Sequence, residues 1–201
     1  MSPGAEIDGN RARIVRAARG VLAERGLDTT VDDVADAAGM SRRTVFRHFA
    51  TRDALLAEAV REGIRSYGEH LVPAHDGEDL DRWLVDAMVT VHRLNARHGR
   101  IYWELAGLGR ALEGEIAVVA EERRAGRRAL VRSFTDAVWR SAGGDGRPPA
   151  WLADVCAVQL SAFTTRALTG DFGRGPDAIG RVCARAVAAA ARAAVAERAS
   201  A

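Results

Sequence analysis

Residues 30–52, TVDDVADAAGMSRRTVFRHFATR, restrict the fold of this chain more than any other segment. Thr30 and Asp33 have the spacing of a capping box, in which two side chains bond backbone N–H groups at the start of a helix. Gly39 can adopt the left-handed conformation that ends a helix, and Ser41 is a favourable N-cap for the next helix. The segment therefore predicts two short helices that are joined by a tight turn.

The second of these helices is predicted to have one apolar and one basic face. At about 100° per residue, Val45 and Phe49 lie on one side of the helix, whereas Arg43, Thr44 and Arg47 project away from it. This pattern is typical of a helix-turn-helix, in which the second helix enters the major groove of DNA. We therefore expect Arg43, Thr44 and Arg47 to contact base edges. The alternative is an ordinary solvated basic face.

Polar residues at the margins of this face are predicted to contact the DNA backbone, where contacts fix register without reading sequence. The candidates for these phosphate contacts are Thr30, Ser41, Arg42, His48 and Arg52. The net charge of the whole chain is only +2, so any nucleic-acid footprint has to be local. Double-stranded DNA is accordingly expected to meet the protein at this one short surface.

Residues 14–60 resemble the N-terminal domain of the tetracycline-repressor (TetR) family of transcriptional regulators. The motifs that carry the resemblance are Ala17-Ala18, Gly26, Thr29-Thr30-Val31, Val34-Ala35, Ala38-Gly39-Met40-Ser41, Thr44-Val45-Phe46-Arg47-His48-Phe49, and Arg52-Asp53 followed by Leu55-Leu56. Two positions depart from the family pattern. Phe46 stands where members usually carry Tyr, whose hydroxyl can reach a phosphate, and Arg43 stands where a small residue is common.

Composition and periodicity predict helices for the rest of the chain as well. Apolar residues make up 48% of the sequence, and they recur at helical spacing without the alternation of β-strands. We expect an all-α fold of about nine helices, with a mobile arm over residues 1–9. Beyond the fourth helix, the predicted helices are 80–97, 100–110 after a break at Gly99, 115–141, 150–168 and 177–198.

Two domains are expected. Residues 1–62 would form a three-helix helix-turn-helix domain with the start of a connecting helix, and residues 63–201 a larger helical domain for ligand binding and dimerisation. The resemblance implies that the last two helices, 150–168 and 177–198, form a four-helix interface with a second copy. The alternative for this apolar pair is plain packing within one chain. A homodimer would place two recognition helices about one DNA turn apart, which suits a palindromic site.

Polar side chains interrupt the apolar stripes of the C-terminal helices. Buried charge is costly unless it is paired, so these residues indicate internal ion pairs, a hydrated dimer interface or a ligand pocket with aromatic walls. The candidates for lining such a pocket are Trp83, Met88, Asn95, Trp103, Arg123, Arg127, Phe134, Gln159 and Phe163.

Other functions find little support in the sequence. Cys156 and Cys183 lie far apart and form no CxxC motif, so neither a metal nor another cofactor is expected. The N-terminus lacks the apolar region of a signal peptide, and no apolar run approaches the ~18 residues of a membrane span, which predicts a cytoplasmic, nucleoid-associated protein. No enzyme is expected, because His92, Glu104 and Cys156 are the only acid–base or nucleophile set and fall on different helices.

Together with the resemblance, these features predict a one-component transcriptional regulator. We expect a repressor that binds a palindromic operator as a homodimer and is released by a small-molecule effector. The alternative is a ligand-independent or architectural DNA-binding protein with the same N-terminal domain. The sequence pattern does not distinguish an induced repressor from a corepressed one or from an activator.

Overall fold

The computed structural model describes residues 3–70, 79–108 and 111–200, and every regular element within these ranges is a helix. A short 3-10 turn, Gly26–Asp28, separates the first two α-helices. The α-helices are α1 (Pro3–Arg25), α2 (Val31–Ala38), α3 (Arg42–His48), α4 (Arg52–His70), α5 (Leu80–Leu108), α6 (Gly114–Ser141), α7 (Ala150–Gln159), α8 (Ala162–Gly170) and α9 (Pro176–Ala199). The prediction of an all-α fold is confirmed.

Local bonds set the lengths of α2 and α3 as the sequence predicts. Gly26 and Gly39 follow α1 and α2 with φ angles of 59° and 61°, in the left-handed region that suits glycine. The Thr30 hydroxyl accepts from Asp33 N at 3.2 Å, while Thr30 N donates to Asp33 Oδ2 at 3.0 Å. Ser41 caps α3 through its side chain. Both helices therefore begin, and α2 ends, where the capping residues require.

Two segments are helical where the sequence predicted interruptions. The expected mobile arm is helical from Pro3 onward, and proline fits a first helical position because its missing N–H is not needed there. The predicted break at Gly99 is also wrong, since α5 runs through this residue to Leu108. Glycine costs a helix about 1 kcal/mol, but Ile101 and Leu105 beyond it are buried and each contributes roughly 1.5–3 kcal/mol. The predicted end at residue 110 lies outside the described residues.

The predicted helix over 150–168 is instead two helices, α7 and α8. Ser161 begins α8 by accepting from Phe163 N at 3.2 Å. At the C-terminal end of α7, side chains of other helices donate to backbone carbonyls in place of helical N–H groups. Arg127 donates to the Ala157 carbonyl at 2.6 Å, and Asn95 donates to the Leu160 carbonyl at 3.4 Å. Because these carbonyls have other donors, the chain can leave the helix without burying unsatisfied groups.

The chain divides into two compact units, each with its own core. The first unit contains residues 1–67 and 98–123, and the second contains 68–97 and 124–201. Fully buried side chains in the first unit include Ile14, Val34, Leu55, Leu56 and Leu105. Those in the second include Leu84, Met88, Phe134, Trp139, Leu152 and Ile179. The predicted functional boundary after residue 62 does not coincide with the division into compact units, and it stays a prediction.

None of the helices in the described ranges combines the length and the apolar character that crossing a lipid bilayer requires.

Candidate DNA-binding surface

The helix α3 is anchored to the first unit by the two apolar residues that its sequence pattern singles out. Val45 is 1% exposed and Phe49 is 5% exposed, and both belong to the same buried cluster as Val34 and Leu56. At the turn before α3, Met40 N donates to the Ala35 carbonyl at 2.9 Å. These contacts fix the orientation of α3 about its own axis, and therefore decide which side chains face outward.

The three candidates for base contacts lie where the angular pattern predicts, away from the buried side of α3. Arg43 and Arg47 are exposed, and Thr44 is half-buried. The Thr44 hydroxyl lies 2.9 Å from the Ser41 hydroxyl, so the N-cap also orients the threonine side chain. Base contact stays a prediction for all three.

Arg42 is held across the outer surface of α2 and α3. Its guanidinium lies 2.5 Å from the Asp32 carboxylate and 5.3 Å from the centre of the Phe46 ring. A cation over an aromatic face is stabilised by the ring quadrupole, and Phe46 remains 39% exposed. Phenylalanine lacks the hydroxyl expected at this position, but its ring instead supports the arginine beside it.

Arg52 has a structural role that the sequence did not reveal. Its Nε donates to the Thr29 carbonyl at 2.7 Å, its second terminal nitrogen donates to the Leu27 carbonyl, and its first bonds Asp53 at 3.1 Å. The guanidinium thus ties the connection between α1 and α2 to the start of α4. A phosphate contact by Arg52 would use a side chain that already holds this connection in place.

The other predicted phosphate contacts are engaged to different degrees. Besides its capping bonds, the Thr30 hydroxyl donates to Asp33 Oδ2 at 2.7 Å. Hydrogen bonds from Thr30 hold the pKa of Asp33 below its usual range, and the nearby Arg25 adds to this effect. His48 is half-buried, and its Nε2 atom is inaccessible and has no partner in the part of the chain that the structure describes. Only its other ring nitrogen could meet a phosphate.

The end of α1 is held by residues from α5 that no local pattern marks. Leu27 N donates to Glu104 Oε2 at 2.6 Å, and Arg100 Nε donates to Glu104 Oε1 at 2.9 Å. Arg100 also donates to the Glu24 carbonyl. The Glu104 carboxylate therefore holds the turn at Gly26, which connects α1 to α2. Its partners explain this carboxylate without any catalytic role.

The candidates for a ligand pocket are distributed over both units. Trp103 and Arg123 belong to the first unit, and the remaining candidates belong to the second. Among these, the rings of Trp83 and Phe134 lie 5.5 Å apart and Met88 is fully buried, whereas Phe163 is 47% exposed. Gln159 is half-buried. Asn95 and Arg127 each hydrogen-bond a backbone carbonyl at the end of α7. These bonds give both polar side chains a structural role that requires no ligand.

The residues that the sequence offers for catalysis are divided between the two units. His92 and Cys156 lie in the second unit, whereas Glu104 lies in the first. Burial raises the pKa of the Cys156 thiol to about 11, and it does the same for Cys183, so neither forms the reactive thiolate at neutral pH. Within the described ranges, no group of three or more His, Cys, Asp or Glu side chains is placed to hold a metal ion.

A helix-turn-helix with an outward basic face defines a DNA-binding class of protein. Residues 14–59 match the family model of bacterial regulatory proteins, tetR family. A TetR-family transcriptional regulator from Streptomyces coelicolor has the same fold, with a TM-score of 0.69, 22% identity, and coverage of 95% of this chain and 83% of that one. A transcriptional regulator from Rhodococcus sp. Rha1 superposes with a TM-score of 0.68 at 23% identity, covering 88% and 93% of the respective chains.

A third similar structure contains both kinds of expected partner. It is AibR in complex with isovaleryl coenzyme A and operator DNA, with a TM-score of 0.63, 16% identity, and coverage of 87% of this chain and 96% of that one. No curated protein matches the sequence. Residues 14–59 thus match the N-terminal domain model of the tetR family, and the chain has the fold of the solved transcriptional regulators that resemble it.

Proposed function

We propose that the protein is a one-component transcriptional repressor that binds a palindromic operator as a homodimer and is released by a small-molecule effector. The observation that carries this proposal is the placement of α3. Its apolar side is fixed by Val45 and Phe49, and Arg43 and Arg47 are exposed on the rest of its surface. Arginine can bond guanine through two hydrogen bonds in the major groove, so this helix can both attract and read DNA.

Replacing Arg43 and Arg42 separately by alanine tests the division between reading and positioning. We expect Arg43→Ala to relax discrimination at one base-pair position by ~1–3 kcal/mol, because a bidentate base contact is lost. Arg42→Ala should weaken binding to all sequences alike and lower the salt slope by about one phosphate. The measurement is affinity for the selected operator, for each single-base variant and for random DNA, at several salt concentrations.

Arg42 and Arg43 are a matched pair for this test, because they are neighbours in the sequence and both are exposed. Arg52 is unsuitable as the control because its replacement would also free the carbonyls of Leu27 and Thr29. Equal losses on specific and random DNA for both variants would contradict our assignment of roles. If the wild-type protein binds the operator and random DNA equally well, the proposal of a sequence-specific regulator is wrong.

Homodimerisation through the last helices is supported by their exposed apolar residues. In the second unit these are Trp151, Val158, Phe163, Phe172 and Val182, which are 38–69% exposed in a single chain. Large exposed apolar side chains indicate an interaction surface when several occur together along the same elements. We propose that a second copy of the chain covers them, because two recognition helices are needed to read a palindrome.

Val182→Asp is expected to shift the protein from dimer to monomer, because it would bury a charge in the proposed interface. Val118→Asp is the matched control, since Val118 is 54% exposed and Val182 is 59% exposed but Val118 lies on α6. Sedimentation velocity of both variants and the wild type provides the measurement. A monomeric wild type, or dimers in both variants, would rule out this interface.

Release by a small molecule is proposed from the domain organisation and from the AibR structure, which holds a coenzyme A ester together with operator DNA. An effector lowers the operator affinity only if it binds the DNA-free state more tightly than the DNA-bound state. The rival proposal is a DNA-binding protein without an effector. Thermal stabilisation by a cellular metabolite, together with release of operator DNA at the same concentration, distinguishes the two.

A further inference from the structure

Arg42 differs from the other arginines of α3 because two neighbouring side chains hold its guanidinium. Its Nη1 atom lies 2.5 Å from Asp32 Oδ2 on α2, and its Cζ atom lies 5.3 Å from the centre of the Phe46 ring. Arg43 and Arg47 are exposed on the same helix, and neither makes an ion pair or a ring contact with the residues that the structure describes. The orientation of Arg42 is therefore set by the protein itself.

These two contacts leave one edge of the Arg42 guanidinium open. Asp32 bonds only Nη1, and within the described ranges neither Nε nor Nη2 has an acceptor. Arg61 on α4 is the opposite case, because its Nε and Nη2 donate to the two carboxylate oxygens of Glu122 at 2.9 and 3.2 Å. Nε and Nη2 form a planar fork that suits two parallel hydrogen bonds to a carboxylate or a phosphate. Arg42 thus keeps free the edge that Arg61 uses for its anionic partner.

The position of Arg42 beside the outward face of α3 indicates which acceptor this edge would meet. The side chain is 58% exposed, and the next residue is Arg43, for which we propose a base contact. Around such a contact, phosphate oxygens of the DNA backbone are the usual hydrogen-bond acceptors, and they fix the register of a protein on the duplex. A backbone phosphate has two free oxygens, so it is complementary to a fork of two N–H groups.

We propose that Asp32 and Phe46 are positioning residues, which hold Arg42 so that its Nε and Nη2 donate to one backbone phosphate of DNA. This inference rests on the proposed function, because it requires α3 to lie against DNA. The two residues act by restricting the rotamers of Arg42, since a side chain that is already ordered loses less entropy on contact. The Asp32 carboxylate also repels a nearby phosphate, so the test has to separate positioning from charge.

A double-mutant cycle on the full-length protein makes this separation. The probe is duplex DNA of random sequence, about two helical turns long, and fluorescence anisotropy at low salt gives the dissociation constants. Phe46→Leu changes no charge. It should weaken binding about two- to fivefold when Arg42 is present, which is the equivalent of one exposed cation–π contact, and have little effect in the Arg42→Ala background. Urea unfolding establishes that each variant is folded.

Asp32→Asn removes the repulsion of the carboxylate in both backgrounds. If Asp32 positions Arg42, the affinity should rise less with Arg42 present than in the Arg42→Ala background, because part of the gain is offset by the lost support. Asp36→Asn is the matched control, since Asp36 is also exposed on α2 and its carboxylate has no ion pair in the part of the chain that the structure describes. Its effect should be the same in both backgrounds.

The possible outcomes are distinct. Equal losses from Phe46→Leu in both backgrounds would overturn the role of Phe46. An equal or larger gain from Asp32→Asn with Arg42 present would overturn the role of Asp32, and a larger gain would show that its carboxylate competes with phosphate. A wild-type protein that binds the operator no better than random DNA would instead overturn the proposed function, and the coupling on random DNA would remain.

Discussion

Gly180→Ala is expected to lower the free energy of unfolding by about 3 kcal/mol, at the upper end of the usual cost of overpacking. A Cβ atom at this position would lie 2.6 Å from both N and Cα of Val89 and 2.8 Å from its Cγ2. The first two neighbours are backbone atoms of α5, which cannot rotate away as a flexible side chain can. The helices α5 and α9 would therefore have to move apart.

The surroundings of Gly180 show why such a movement is costly. Small side chains of α9, among them Ala184, Ala188 and Ala191, are buried along with it. Two ion pairs join the same helices, Arg93 with Asp177 and Arg192 with Asp81, each at 2.6 Å. Exposed ion pairs contribute little to stability, so the close approach of apolar surfaces dominates the energetics. Separation at Gly180 would loosen contacts along the whole length of the crossing.

Gly126→Ala is the matched control for this prediction. Gly126 lies within α6, and no atom would come within 4 Å of an added Cβ. Alanine there should raise the free energy of unfolding by ~0.5–1 kcal/mol, because glycine is the poorer helix former. Urea unfolding of both variants measures the two effects. A Gly180→Ala protein as stable as the wild type would show that α5 and α9 are not in close contact at this point.

The sequence predicts the helix-turn-helix well because its determinants are local. Gly26, Gly39 and Ser41 act within one turn of their own positions, and Thr30 and Asp33 are three residues apart. The periodic pattern likewise places Val45 and Phe49 in the core. Short-range spacing therefore contains enough information to locate α2 and α3 and to assign an outward face to α3.

The supports around this surface depend on contacts between distant residues. Arg52 reaches a carbonyl 25 residues away, and Glu104 caps a turn that lies 77 residues away in sequence. Asn95 and Arg127 bond carbonyls at separations of 65 and 30 residues. From the sequence, a polar residue on an apolar stripe indicates only that its side chain needs a hydrogen-bond partner. Which backbone group supplies it follows from tertiary packing, so the break between α7 and α8 was missed although Ser161 is a favourable cap.

The protein is expected to lose about 3 kcal/mol of stability as the pH falls from 6.5 to 4, through the titration of His92 alone. Burial lowers its pKa from 6.5 to about 4 in the folded chain. Between these two values the unfolded chain binds a proton that the folded chain does not. The contribution is therefore fully present above pH 6.5, declines steadily with acidification, and is lost at about pH 4.

Replacing His92 with leucine isolates this effect, since leucine removes the titration and keeps an apolar side chain. Its free energy of unfolding should change much less between pH 6.5 and 4 than that of the wild type, when both are measured by urea unfolding. Asp33 and Asp177 have lowered pKa values, and their stabilisation is lost only below the ordinary carboxyl value of 3.8. They therefore act outside this window. An unchanged slope in His92→Leu would mean that His92 is hydrated or charged in the folded protein.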